Sequence, residues 1–484
     1  MKEKTAEGIS FITCSRDKKL FSKLKKNINL NIGIKNYEII PIDNSKNQYS
    51  LASAYNKGIS MAKFPILCFL HEDARFLTKN FGKIIISKFS TNPEIAALGI
   101  AGSAYLPEDP VWFSPGRPFT KGQVVHKLNR GEQLEKYSAI REDTEVVVLD
   151  GVFIAARKDL ASKFQFDEQT FNGFHFYDID FTLRIAEKHK IIVTFDFLLQ
   201  HLSAGSFNES WKGYKEKFIK KHRNLLPYTN LDSIPKATHA WKSCPYDSEK
   251  DYPKVLVGCP TSFHKEHCLQ QYAEAVASLT YPNYDILLID NSPDDKYLEK
   301  IRQFEIPAIK GPYFDSARDR IVASRNILRE YAIKNNYDYL LSLEQDVIPP
   351  KDVIERMLIH NKQVISGIYF NRELVNQGLT LVPLAYSKSK EVPGQLPSMK
   401  PLNKQELWSN KLLQTVSAGL GCLLIHKEVL KKVKFRYDKD KPAFDDRFFF
   451  IDLYNLKIPS FTDTSIKCKH FILNRPYQWK DIQK

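Results

Sequence analysis

The chain has 484 residues, too many for one ordinary domain, so two or three are expected. Its 43% hydrophobic and 12% aromatic content is enough for substantial buried cores and excludes long-range disorder. A formal charge of +15 suits an anionic partner, but much of it comes from lysines spread along the chain. A nucleic-acid role would rest on charge alone, and none is expected.

The N-terminus, MKEKTAEGISFITCSRD, is polar before its first apolar run and does not read as a signal peptide. No stretch approaches the ~20 apolar residues of a membrane span, which points to a cytoplasmic protein, at most peripheral to a membrane. The seven cysteines are scattered and form no CxxC pair, so they read as reduced core residues with no zinc site.

The first half opens on an apolar strand running into a polar loop, ISFITCSRD (9–17), followed by a second strand, YEIIPIDNS (37–45). A third strand ends in acidic residues, FPILCFLHEDARF (64–76). Beyond a stretch with no clear motif (103–145) come a glycine-bearing strand, VVVLDGVFIAARKDL (146–160), and an acidic, aromatic helix start, FYDIDFTLRIAEKHK (176–190). The half closes on a strand and a histidine, VTFDFLLQHLS (193–203). The basic segment WKGYKEKFIKKHR (211–223) reads as an ordinary surface helix, with contact to a membrane surface as the sharper alternative.

A polar, proline-bearing stretch follows, which divides the chain into domain 1 (1–230), a linker (231–252) and domain 2 (253–484). The second half then repeats the plan: KVLVGCPTS (254–262), YDILLIDNS (284–292), YDYLLSLEQDVIPP (337–350), VSAGLGCLLIHKEVL (416–430), FDDRFFFIDLYNLK (444–457) and SFTDTSIKCKHF (460–471). Asp73 and Asp178 stand 105 positions apart, Asp346 and Asp446 100; Asp178 and His201 stand 23 apart, Asp446 and His470 24. The interval from Asp43 to Asp73 is 30 against 56 from Asp290 to Asp346, and two helical segments fill the longer one. Short apolar strands alternating with helices argue a mostly parallel α/β sheet in each half. Ligands of such sheets bind beyond the carboxyl ends of the strands, where these acids lie.

At these motifs the chain resembles the family 2 glycosyltransferases of the GT-A fold, over nearly all of both halves except the linker and 103–145. The resemblance implies two tandem GT-A-type, Rossmann-like domains, each binding a nucleotide-diphospho-sugar at its strand ends with a divalent metal, manganese or magnesium. An Asp-x-Asp motif and a downstream histidine then hold the metal, which puts Asp73 and His201 in the first half and Glu344, Asp346 and His470 in the second. The family's first aspartate is replaced by His71 and by Glu344. The catalytic base falls on Asp178 and Asp446, and donor contacts fall on Thr13 and Asp43, and on Thr261 and Asp290. The acceptor would be a hydroxyl of a glycan, glycolipid or protein, attacking the donor's anomeric carbon with inversion.

Each of these residues has a plainer reading. Asp178 and Asp446 open helices, where aspartate is a common N-cap, and Asp180 is an alternative base. His201 and His470 each follow an apolar strand and could be hydrogen-bonded structural residues. Asp150 reads equally as lining for the acceptor cleft or as a turn residue. Trp112 and Trp211 could stack on sugar rings, with core packing as the safer reading. Two other functions compete: a carbohydrate-binding or scaffold protein with decayed sites, kept open by His71 and Tyr177, and a sugar-nucleotide nucleotidyltransferase. The latter class carries a glycine-rich first loop, which ITCSRDKKL and VGCPTSFHK lack.

Overall fold

Runs of apolar residues that alternate with helices place their strands in the middle of a sheet, buried on both faces. In the computed structural model every residue of Ile66–Leu70 and of Tyr339–Leu343 is buried, as the central strands require. The structure describes residues 7–471 apart from 129–130, 204, 206, 233, 235–241, 376–377, 391–395 and 442. The chain divides into two compact units, Met1–Lys250 and Asp251–Lys484.

In the first unit the main sheet runs, edge to edge, Thr144–Val146, Lys190–Val193, Ile95–Gly99, Phe153–Arg157, Ile66–Leu70, Ile9–Ser15, Tyr37–Asp43. Among the described residues five of these seven strands run one way, Phe153–Arg157 and Thr144–Val146 the other. The second unit repeats the order strand for strand: Leu412–Thr415, Ser460–Lys467, Val364–Ile368, Cys422–His426, Tyr339–Leu343, Val255–Thr261, Tyr284–Asp290. It adds Ala308–Lys310 at the outer edge, in the interval that is longer than its counterpart. That interval therefore holds a strand as well as the helices Lys296–Arg302 and Ala317–Lys334.

Side-chain caps start several of the helices on the sheet faces. Asp17 accepts from Lys19 N at 2.7 Å, Ser50 from Ser53 N at 3.1 Å, and the Ser316 side chain from Asp319 N. Helix Glu209–His222 buries Phe218 and His222 and packs Trp211 and Tyr214 on the first core, so its apolar residues are used within the domain. Among the described residues no helix is long and apolar enough to cross a membrane. All seven cysteines are buried and free.

The described residues of the motif-poor stretch 103–145 contain strands of their own. Thr120–Leu128 pairs antiparallel with Gly131–Lys136 and parallel with Leu199–His201, forming a second sheet beside the strand ends. Part of the stretch expected as linker joins this sheet: Lys242–Tyr246 pairs with Gly131–Lys136. Several residues between 233 and 241 lie outside the described residues.

Candidate active sites

In the first unit the chain leaves strand Ile66–Leu70 through His71-Glu72-Asp73 and returns as a short strand, Ala74–Phe76. That strand pairs antiparallel with Leu199–His201, and the register sets His201 opposite Ala74. Pairing alone therefore carries the histidine to the acid across 128 residues of sequence. His201 Nε2 lies 3.4 Å from Asp73 Oδ1 and 3.3 Å from His71 Nδ1. His71, Asp73 and His201 form a cluster whose ligand atoms all lie within 4.8 Å of one another. The His71 Nε2 meets the Tyr177 hydroxyl at 3.0 Å, which fixes the ring with Nδ1 turned to the cluster.

The second unit repeats this register. Val347–Ile348 pairs with Lys469–His470, and His470 stands opposite Val347, the residue after Asp346. His470 Nε2 is 3.3 Å from Asp346 Oδ2, while its Nδ1 donates to the Phe370 carbonyl at 2.6 Å. The third member does not join. The Glu344 carboxylate turns to Arg325 Nη2 at 2.5 Å, and Arg325 Nε also meets Asp445 Oδ2 at 2.7 Å. Lys265 forms a close ion pair with Asp346 Oδ2, and Asp346 Oδ1 is buried without a hydrogen-bond partner. The expected set Glu344, Asp346 and His470 thus divides into a hydrogen-bonded pair and a glutamate that lines the same cavity but is bound to arginine.

The candidate bases occupy the second positions of helices Tyr177–Ala186 and Asp445–Asn455, not the N-caps, which are Phe176 and Phe444. Asp178 Oδ2 accepts from Gly151 N at 2.7 Å. The fit is close: a Cβ on residue 151 would collide with the Tyr177 hydroxyl and the Asp178 carboxylate, so glycine is needed there. Asp180 is fully buried and saturated by Arg184 at 2.9 Å, Lys221 at 2.6 Å and His222 at 2.8 Å. That leaves Asp178 as the carboxylate facing open space. Asp446 Oδ1 accepts from Arg447 N at 2.7 Å and lines its own cavity.

Each constellation borders a cavity. The first, of about 500 Å³, is lined by His71, Asp150, Asp178 and His201 on its polar side. Trp112, Tyr137, Phe176 and Trp211 line the rest, so both tryptophans stand at the site as well as against the core. Tyr137 and Trp112 come from the stretch the motifs passed over, and their rings meet at 5.1 Å. The second cavity, of about 450 Å³, is lined by Lys265, Arg325, Glu344, Asp346, Asp446 and His470 among others.

Electrostatics separate the groups. Burial, helped by the charge of Asp150, lifts the Asp178 carboxyl to about 7. Burial and then His201 push the His71 imidazole down to about 4, so it is a neutral nitrogen donor at physiological pH. Burial would raise Asp73, but the hydrogen bond and charge of His201 outweigh it and hold the carboxyl well below its usual range. Asp446 is raised, chiefly by burial.

The expected donor contacts are less uniform. Thr13 is fully buried with its hydroxyl unpartnered, and Asp43 is exposed, accepting from Ser45 N at 2.9 Å. Thr261 donates to the Gln345 side chain. Asp290 is fully buried, bound to Ser292 Oγ at 2.6 Å and Lys310 Nζ at 2.9 Å. None of the four lines either cavity. His71 joins the metal-capable cluster although it departs from the family motif; its signal in sequence was a ligand-type residue at the first motif position.

The model of a glycosyltransferase-like family matches residues 10–224, and that of glycosyl transferase family 2 matches residues 261–434. A search of curated proteins returned no match. Among solved structures, A197 from STIV aligns at 17% identity over 46% of this chain and 87% of its own, with a TM-score of 0.25. S. aureus TarS 1-349 in complex with UDP-GlcNAc aligns at 14% identity over 44% of this chain and 58% of its own, TM-score 0.29. S. aureus TarS aligns at 13% over 46% and 36%, TM-score 0.28. With the two family models covering most of the chain on successive units of matching strand order, this protein is a glycosyltransferase carrying two family 2-like, GT-A-type domains in tandem.

Proposed function

We propose that each half moves a sugar from a nucleotide-diphospho-sugar to an acceptor hydroxyl of a glycan, glycolipid or protein, with inversion and with a divalent metal. One observation carries the reading: in both halves the histidine paired across from the strand-end acid and the helix-start aspartate border a single cavity, which Asp346 also lines in the second half. In the first half Asp73 meets His201 at 3.4 Å, and His71, His201 and Asp178 line the cavity. The residues fit a cation. His71, Asp73 and His201 offer two nitrogens and a carboxylate, a set suited to manganese. Asp346, with a buried unpartnered oxygen, and His470 offer the start of a second site. A divalent ion there supplies Lewis-acid stabilisation of the departing diphosphate.

The chain's own residues do the remaining work. Asp178 or Asp446 takes the acceptor's proton as the hydroxyl attacks, and the aromatic wall of the first cavity keeps water from the donor. A base must be ionised, and Asp178 titrates at about 7. Transfer by the first half should therefore climb as pH rises through neutrality and fall away below it, read as a pH profile of kcat/KM. A flat profile between about pH 6 and 8 would remove Asp178 from that role.

The direct test is incubation of the purified full chain with a panel of nucleotide sugars and manganese or magnesium, following release of the nucleoside diphosphate. We expect slow hydrolysis of one or two donors, abolished by chelator. Release from none of them, or full turnover in chelator with no bound metal, would defeat the reading.

A further inference from the structure

The two halves present different charges to the same point of the fold. In the first, His71 adds a third ligand atom to Asp73 and His201. Its Nδ1 stands 3.3 Å from His201 Nε2, and its far nitrogen is steadied by the Tyr177 hydroxyl at 3.0 Å. The loop after the first strand meets this motif through backbone: Arg16 N and Asp17 N donate to Glu72 at 3.0 and 3.1 Å.

In the second, the equivalent loop, Phe263–Cys268, delivers an ammonium group instead. Lys265 is ion-paired to Asp346 Oδ2, and its backbone carbonyl is tied to Gln345 Nε2 at 2.7 Å, so the residue is anchored beside the motif. Glu344, which could have been a third ligand, is held by Arg325. Only Asp346 and His470 remain to receive an ion, and one of those already has a positive partner.

Resting on the metal-dependent reading above, we propose that the halves take up their divalent cation in different order. The first binds it on His71, Asp73 and His201 before any donor arrives. The second takes it only together with the donor's diphosphate, with Lys265 holding the place of the cation until then.

The physical reason is ligand supply and charge. Three converging protein donors hold an ion without help from a substrate. Two donors hold an ion only weakly, since hard cations fill the rest of their shell with water and substrate phosphate oxygens. In the second half the Lys265 ammonium group also competes with an incoming ion for the Asp346 carboxylate and repels it. A diphosphate removes both obstacles at once, bringing oxygen ligands for the ion and a new anionic partner for the ammonium group. Lys265 is more than a third exposed and sits on a short loop-borne helix, so it has room to swing from one anion to the other.

The experiment is manganese titration of the full chain, following loss of the free-ion signal by electron paramagnetic resonance. It is run alone and then with UDP, GDP and CDP in turn. We expect one ion per chain without nucleotide and a second with at least one of the three. His71→Ala should weaken the nucleotide-independent ion by at least about 10-fold, given what removal of even outer partners costs a metal site. His71→Asp, which restores a ligand, should keep it and guards against a folding artefact. Lys265→Ala, which removes the competing charge but adds no ligand, should let the second ion bind without nucleotide, though more weakly than the first. Two equivalent ions in the unliganded wild type, no ion until nucleotide is added, or indifference to Lys265→Ala would each overturn the proposal. Absence of any ion with or without nucleotide would instead strike the metal reading itself.

Discussion

Replacing Asp178 or Asp446 by asparagine is expected to cut transfer in the affected half by ~10²–10⁴-fold, the usual worth of a general base. The change is nearly isosteric, and the Asp178 contact survives it: an asparagine oxygen can still accept from Gly151 N, which now lies at 2.7 Å. Helix stability should be little affected, because neither carboxylate caps its helix; Phe176 and Phe444 hold those positions. Donor binding should also persist, since the cation-binding groups stand on other strands. The readout is product from each single mutant with separate donors, alongside nucleotide affinity. Loss of one linkage per mutant means two active sites, and loss from one mutant alone restricts chemistry to that half. Undiminished transfer in both would sink the mechanism.

How much of this could be read from the chain follows from how local each signal is. The repeat was legible because each strand end carries its own short motif, and IDNS at 42–45 and 289–292 sits at the same edge of equivalent strands. The pairing of Asp73 with His201 and of Asp346 with His470 was legible through the family resemblance, and strand register gives it a physical cause. Three features stayed hidden because they depend on contacts between distant segments. Tyr137 reaches the cavity only once the Thr120–Leu128 hairpin pairs beside His201, and no motif marks it, while Trp112 beside it was legible in sequence as a candidate sugar-stacking ring. Strand Lys242–Tyr246 reads as linker because its partner, Gly131–Lys136, lies over 100 residues earlier. Lys265 looks like an ordinary surface charge in sequence, and only the fold sets it against Asp346 and sets Arg325 against Glu344 and Asp445. The choice between Asp178 and Asp180 was likewise open until burial and three basic partners claimed Asp180.

Arg325 carries the largest expected effect on stability. Its side chain is 5% exposed and meets three groups: Ser342 Oγ at 2.9 Å, Glu344 and Asp445. Arg325→Met would fill similar volume but leave the nearly inaccessible Asp445 without a counter-charge. Breaking a buried pair from one side costs about 3–5 kcal/mol, against a typical total near 5–15 kcal/mol. The pH dependence has a definite sign. Asp445 already sits above the usual carboxylate range, because burial raises it more than Arg325 lowers it. Without Arg325 it rises further, so the folded state binds a proton that the unfolded state has released. Stability then falls as pH climbs from the unfolded carboxylate value, about 4, through the raised folded one, and the penalty is greatest at neutral pH. Denaturant unfolding of the full chain at several pH values reads this out, and with two compact units only the transition of the second should move. Adding Glu344→Gln and Asp445→Asn to Arg325→Met should recover much of the loss, since neutral groups of similar shape replace buried ion pairs at little cost. A single variant within about 1 kcal/mol of wild type at pH 7 would show that the arginine is not what balances these acids.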